Sequence, residues 1–266
     1  MSTLGSQPPA ATDSGESPRG RFDLIMFDLD GTLVDTADEI GDTVNDVLRA
    51  LRLPPAPDEL VRSWIGQGSR ELLIRACAHA AGLSQSEARA SATMESVLEM
   101  YGRFHEKRCG TRSQVYPHVA DTLSALSGLG VAMALVSNRE ARFAEAVLRS
   151  HGLRDYFDPL VAGDSLPAKK PDASTIAYCL HAHGVPAQRA LMIGDSAIDI
   201  ATGRNAGVEC WVVPYGYNSG QPIEDARPDR VIADISAVLP AIRCGRQHQA
   251  IAASGSRAQH SNSSDT

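Results

Sequence analysis

Lysine is scarce in this 266-residue chain. Of its 25 basic residues only Lys107, Lys169 and Lys170 are lysine, the rest being arginine. Two of the three stand side by side, which marks that position for attention. Long apolar runs are missing too: none approaches the ~18 residues of a membrane span. The start, MSTLGSQPPAATDSGESPRG, lacks a basic region followed by an apolar one, so it does not read as a secretory signal. Five cysteines (Cys77, Cys109, Cys179, Cys210, Cys244) form no C-x-x-C pair. That pattern argues against zinc and a disulfide framework and for small buried hydrophobes in a reducing compartment. Cytoplasmic location is the expectation. No Walker A sequence and no H-E-x-x-H occur, the histidines show no metal spacing, and His181 and His183 read as helix-surface residues. Gly66-Gln67-Gly68 lacks the third glycine of a dinucleotide loop and follows no strand. A net charge of −7 and a pI near 5.6 exclude a whole-protein affinity for nucleic acid or anionic membrane. Oligomeric state is left open.

With 43% hydrophobic and 21% charged residues, the composition is that of a globular protein. Residues 1–20 and 244–266 are rich in small and polar residues without apolar periodicity, and read as disordered tails. Between them LIMF (24–27), VAMALV (131–136), Leu160–Val161, ALMI (190–193) and CWVV (210–213) read as buried strands alternating with helical patterns. The predicted fold is α/β, a doubly wound parallel sheet. One stretch breaks the alternation. Ala37–Leu51, Ser69–Ala81 and Gln85–Glu106 have helical spacing, with PPAP and Gly82 as breaks and Cys77 on an apolar stripe. These residues predict a helical subdomain (37–111) inserted after the first strand, the core being 21–36 plus 112–243.

Ligands of such folds bind beyond the carboxyl ends of the strands. After LIMF comes Asp28-Leu29-Asp30-Gly31-Thr32; after VAMALV, Ser137-Asn138-Arg139; after ALMI, Gly194-Asp195-Ser196-Ala197-Ile198-Asp199. Lys169-Lys170-Pro171-Asp172 follows Leu160–Val161. Each motif alone is common in turns and helix caps. All four in this order gather several carboxylates, a hydroxyl and ammonium groups at one sheet edge. Carboxylates without partners repel, and a hard cation such as Mg²⁺ resolves that beside a phosphate. Asp28 and Asp30, two apart on an extended segment, point to one side, where one can attack phosphorus while the other handles the proton. Gly31 lets the backbone approach an oxyanion.

The set F-D-L-D-G-T-L-V-D, V-S-N, K-K-P-D and G-D-S-x-x-D resembles the four motifs of the haloacid dehalogenase superfamily. Residues 164–172, Pro214–Asn218 and Ser63–Gly68 are similar to bacterial phosphoglycolate phosphatases. The resemblance implies a Rossmann-like core with a helical cap, Mg²⁺ as cofactor and a small phosphomonoester as substrate. It assigns Asp28 as nucleophile, Asp30 as general acid/base, and Lys170 as the cation at nucleophile and phosphate. Ser137 would bind the phosphoryl group, with Asn138, Gly31 and Thr32 beside it. Asp195 would ligate Mg²⁺ with the Asp28 carboxylate and Asp30 carbonyl, and Asp199 would support that shell. Arg139, where many relatives carry lysine, preserves charge.

For the substrate's carboxylate, Ser69 is read as the N-cap of the helix Ser69–Ala81, whose start favours an anion, with Arg70 assisting. Only one of two adjacent lysines can face the site, so Lys169 is expected to matter little. A dehalogenase has no need of Asp30 and Asp195. A phosphonate hydrolase would want a lysine in the insertion, and 37–106 contains none. A phosphomutase keeps all four motifs. A binding module would have lost at least one of them.

Overall fold

The computed structural model describes residues 21–242, so both tails and Cys244 lie outside the described residues. In chain order, β1 (Leu24–Phe27) and β2 (Val34–Asp35) lead into five helices: α1 (Ala37–Ala50), α2 (Asp58–Trp64), α3 (Ser69–Ala81), α4 (Gln85–Ala90) and α5 (Met94–Arg108). Then follow β3 (Gln114–Val115), α6 (Val119–Gly128), β4 (Ala132–Val136), α7 (Ala141–Ser150), β5 (Leu160–Val161) and α8 (Ser174–His183). The chain continues with β6 (Ala190–Gly194), α9 (Ala197–Ala206), β7 (Glu209–Val212) and β8 (Arg230–Val231).

Six strands form one sheet in the order β5-β4-β1-β6-β7-β8, every pairing parallel. Side chains alternate between its faces, as a pleated strand requires. Ile25, Phe27, Met133, Leu135, Leu191, Ile193 and Trp211 enter one apolar core. Leu24, Met26, Ala134, Val136, Ala190, Met192, Cys210 and Val212 enter the other. Because both faces are covered, the strands are continuous apolar runs, which made them readable in the sequence. Since β1 lies between β4 and β6, the residues after Phe27, Val136 and Gly194 emerge side by side.

Helices α1–α5 stand between β2 and β3, a short antiparallel pair through which the chain leaves and re-enters the sheet domain. Ile40, Val44, Val47 and Leu48 line one buried stripe of α1 and join Leu73, Ile74 and Val97 in a third apolar cluster. Phe143 and Tyr217, from the sheet side, belong to that cluster as well. Burying each such side chain contributes about 1.5–3 kcal/mol.

Two expectations change, and one helix is added. The helix predicted over Gln85–Glu106 is two helices. Ser84 and Glu87 form a capping box that starts α4, and Ser91 Oγ accepts the Thr93 N–H in the turn before α5. The helix α2 was not read from the sequence, its seven residues being too few to show a period. The N-cap of α3 is Gly68, at φ 85° and ψ 165°, and Ser69 is the first helical residue.

Candidate active site

Asp28 leaves β1 buried, with its backbone N–H donating to the Ile193 carbonyl (2.9 Å), so the neighbouring strand β6 fixes its height. Its Oδ1 accepts from the Leu29 N–H (2.7 Å) and stands 2.9 Å from Lys170 Nζ. Lys170 Nζ also donates to Asp199 Oδ1 at 2.7 Å. Asp199, fully buried in the first turn of α9, takes the Asp195 N–H, the Ser196 N–H and the Ser196 hydroxyl on Oδ2. Asp195 accepts from the Thr32 hydroxyl (3.0 Å) on Oδ1 and from the Tyr217 N–H on Oδ2. A Cβ at Gly31 (φ 84°) or Gly216 would collide with that carboxylate, so both glycines are required by close approach.

Electrostatically the cluster is over-supplied with negative charge. Carboxylate oxygens of Asp28, Asp195 and Asp199 all lie within 4.8 Å of one another, and all three residues are buried. Burial pushes the Asp28 carboxyl from 3.8 up to about 7; Lys170 opposes this and Asp199 adds to it. Burial, then Asp199 and Asp28, raise Asp195 well above its usual range. Burial works against the Lys170 charge, but Asp199 and Asp28 outweigh it and raise its pKa. One ammonium, paired with Asp28 and Asp199, is set against a cluster of three carboxylates. This set of hard oxygen donors with excess negative charge fits a divalent cation such as Mg²⁺.

A pocket opens beside Asp28, with an empty volume of about 450 Å³. The sheet domain lines it with Asp28, Asp30, Ser137, Asn138 and Arg139, and the helical insertion closes it with Ile40, Ile65, Gly68, Leu72 and His105. Ser137 is buried at the end of β4, where its hydroxyl accepts the Arg139 N–H at 3.3 Å. Asn138 donates from Nδ2 to the carbonyls of Gly66 and Lys170, both 3.0 Å, and its buried Oδ1 has no partner. Lys169 Nζ donates to the Gln67 carbonyl (2.6 Å), and the Ser69 hydroxyl donates to the Glu140 carboxylate (2.6 Å). Thus 66–69, the segment leading into α3, is tied to the sheet domain at three residues, Gly66, Gln67 and Ser69.

The structure brings together Asp28, Asp30, Ser137, Asn138, Lys170, Asp195 and Asp199. Two of the expected residues have partners other than the pocket. Arg70 is exposed and pairs with Glu95 on the insertion's surface, because its place in the first turn of α3 faces α5 and not the pocket. The Thr32 hydroxyl donates to Asp195, and neither Thr32 nor Gly31 is among the residues that line the pocket. Lys169 is not idle, since it holds the Gln67 carbonyl.

The sequence places Tyr217 in a family-like segment but assigns it no role; its hydroxyl accepts the Thr36 and Ala37 N–H groups (2.9 and 3.1 Å) and donates to Asp35 Oδ1 at 2.5 Å. Sequence reading passed over a buried group at the seam between the two parts. There the Arg139 guanidinium donates to Asp30 Oδ1, to Glu39 Oε1 (3.3 Å) and to His105 Nε2. The available signal was the spacing of Tyr101, His105 and Cys109, which puts three unlike side chains on one stripe of α5 and its end.

Comparison with known proteins agrees with this geometry. The family described as haloacid dehalogenase-like hydrolase matches residues 25–213. A phosphoglycolate phosphatase of Pseudomonas fluorescens (strain Pf0-1) is 39% identical over 229 residues, covering 85% of this chain and 80% of the relative. One from Psychrobacter arcticus is 36% identical over 216 residues, 81% of this chain and 94% of the relative. The crystal structure of a predicted phosphoglycolate phosphatase from Haemophilus somnus 129PT superposes with a TM-score of 0.77 at 32% identity, covering 83% of this chain and 97% of that one. A match over most of the chain, on a sheet whose strand ends carry these carboxylates, makes this chain a member of the haloacid dehalogenase-like hydrolases.

Proposed function

We propose that this phosphoric monoester hydrolase acts on 2-phosphoglycolate, releasing glycolate and phosphate through a phospho-aspartyl intermediate on Asp28. The observation that carries the reading is Asp28, which lines a pocket roofed by the helical insertion acting as a cap and is paired from behind, on Oδ1, with Lys170 at 2.9 Å. Both partners of the Asp28 carboxylate, the Leu29 N–H and Lys170, fall on Oδ1, which leaves Oδ2 for attack. In the first step an Asp28 oxygen bonds to phosphorus as the bond to the leaving oxygen breaks, and Asp30 gives its proton to that oxygen. In the second, water attacks phosphorus, its proton passes to Asp30, and the bond from Asp28 to phosphorus breaks. Splitting the hydrolysis this way makes each step easier.

Asp28, Asp195 and the Asp30 main-chain carbonyl would hold Mg²⁺, with Asp199 supporting them. When bound, the ion neutralises the phosphate and the surplus carboxylate charge. Lys170 contributes a preorganised positive charge at the transferring group, held by Asp199 from behind. Ser137 offers its hydroxyl proton to the phosphoryl oxygens.

The start of α3 at Gly68 and Ser69 lines the same pocket and favours a second anionic group, such as a carboxylate. The nearby Glu140 carboxylate is engaged by the Ser69 hydroxyl. Curated relatives that bear the phosphoglycolate phosphatase name support this substrate. Phosphate release from a panel of phosphomonoesters, with and without Mg²⁺, tests the reading. 2-Phosphoglycolate is expected to exceed glucose 6-phosphate in kcat/KM by about tenfold or more, roughly 1.4 kcal/mol in transition-state binding. Asp28→Asn is the folded, inactive control. Sugar phosphates matching 2-phosphoglycolate would remove the substrate assignment and leave the phosphatase chemistry.

A further inference from the structure

The buried group at the seam links the cap to the residue that handles the proton. Arg139 is 6% exposed and follows β4 in the sheet domain. Its Nη1 donates to Asp30 Oδ1, the oxygen that also accepts the Thr36 hydroxyl at 2.6 Å. Its Nη2 reaches across to two cap residues, Glu39 on α1 and His105 on α5. Glu39 is fully buried, and its second oxygen accepts the Gly110 N–H (2.8 Å) where the chain returns from the cap. The cap therefore meets this one guanidinium from both of its connections to the sheet domain.

Hydrogen-bond roles within the group are fixed by their partners. Thr43 Oγ1 donates to the Glu39 carbonyl (2.7 Å), so its lone pair must accept from His105 Nδ1 at 2.9 Å. His105 Nε2 is then left to accept from Arg139, which describes a neutral imidazole. Burial, with Arg139 and Arg142 close by, pushes the imidazole down to about 2 and keeps it neutral. His105 is stacked on Tyr101 at 5.1 Å and set edge-on to Phe143 at 4.7 Å, so the ring has little freedom to turn. Nothing in phosphoryl transfer asks for Glu39 or His105, yet they hold a charge that touches Asp30.

We infer that Arg139 is a positioning residue that sets the Asp30 carboxyl for proton transfer only while Glu39 and His105 of the seated cap hold its other end. This rests on the reading of Asp30 as the general acid and base. A fork is needed for the task. Two nitrogens of one planar group point to Asp30 on one side and to the cap on the other, whereas a lysine ammonium is a point charge that cannot span both. Substrate entry requires the cap to part from the sheet domain, and that motion separates Arg139 from Glu39 and His105. Asp30 is then free to leave its catalytic position. The device delays proton chemistry until water has been excluded.

A structural role and a proton-positioning role separate by leaving group. 2-Phosphoglycolate expels an alkoxide, which needs a proton from Asp30. p-Nitrophenyl phosphate expels a stabilised phenolate, which does not. Both substrates are to be turned over by the wild-type enzyme and by Arg139→Lys, Glu39→Gln and Asp30→Asn. Arg139→Lys and Glu39→Gln are expected to lower kcat/KM, which reports phosphoenzyme formation, for 2-phosphoglycolate by about tenfold or more relative to p-nitrophenyl phosphate, in the direction that Asp30→Asn shows more strongly. The ratio is taken within one preparation, so loss of folded protein cancels. An unchanged ratio in Arg139→Lys alongside a changed one in Asp30→Asn overturns the inference alone. An unchanged ratio in Glu39→Gln only overturns the link to the cap. An unchanged ratio in Asp30→Asn removes the acid/base reading itself, and this inference with it.

Discussion

Two neighbouring lysines have taken different tasks. Lys170 is buried between Asp28 and Asp199, while Lys169, half-buried, holds the Gln67 carbonyl of the cap loop. Lys170→Ala strands two buried carboxylates, which should cost about 3–5 kcal/mol in a urea titration of the metal-free protein. On the proposed mechanism it also removes a preorganised charge at phosphorus, worth on the order of 10²–10³ in kcat. Lys169→Ala removes a neutral acceptor's partner at the rim, so KM should rise several-fold while kcat stays near wild type. A larger kcat loss for Lys169→Ala would mean that the two roles are exchanged. The scarcity of lysine singled out this pair, and extended geometry said that only one could enter the site. That the other would bridge to the cap was not legible, because its acceptor is a backbone carbonyl 102 positions away.

Among the elements, α3 is the one whose start decides how the cap seats. Gly68 precedes it at φ 85° and ψ 165°, a conformation nearly confined to glycine. A Cβ there would lie 3.0 Å from the Asn138 carbonyl and 3.1 Å from Lys169 Nζ. Gly68→Ala should therefore cost about 1–3 kcal/mol in backbone strain and hold the loop off the sheet domain. Its expected kinetic mark is a raised KM with a smaller change in kcat, checked by steady-state kinetics. An unchanged KM would show that the loop does not seat the cap. The strands were legible because burial on both faces makes them unbroken apolar runs. β1 and β5 coincide with their predicted bounds, and β4 and β6 differ by one residue at one end. Helix ends were harder. Ser91 and Thr93 interrupt an apolar period that otherwise runs from Gln85 onward, and a local side-chain hydrogen bond wins over helical spacing there. The site carboxylates were visible because each follows a strand. Glu39, His105 and Tyr217 were not, since they act through contacts that only packing of cap on sheet creates.

The molecule as a whole carries at its centre a charge imbalance that folding alone does not resolve. Asp28, Asp195 and Asp199 converge at the ends of the middle strands, and among the described residues Lys170 is the one cation paired with them. A carboxyl whose pKa is higher in the folded than in the unfolded chain makes the folded state bind more protons between the two values. Stability then falls as pH rises through that window. For Asp28 the window runs from 3.8 to about 7, and Asp195 is shifted in the same direction. The metal-free protein should thus lose stability between about pH 4 and 7 from this cluster, and keep the loss above it. A bound divalent cation reverses the sign, because it prefers the ionised carboxylates and protons compete with it. Thermal unfolding with and without Mg²⁺ should accordingly show a larger rise in Tm at about pH 8 than at about pH 5. Asp28→Asn removes one of the titrating groups, and should flatten the metal-free slope while weakening the metal-dependent gain. An equal gain in Tm at both pH values would mean that the carboxylates are not the cation's ligands.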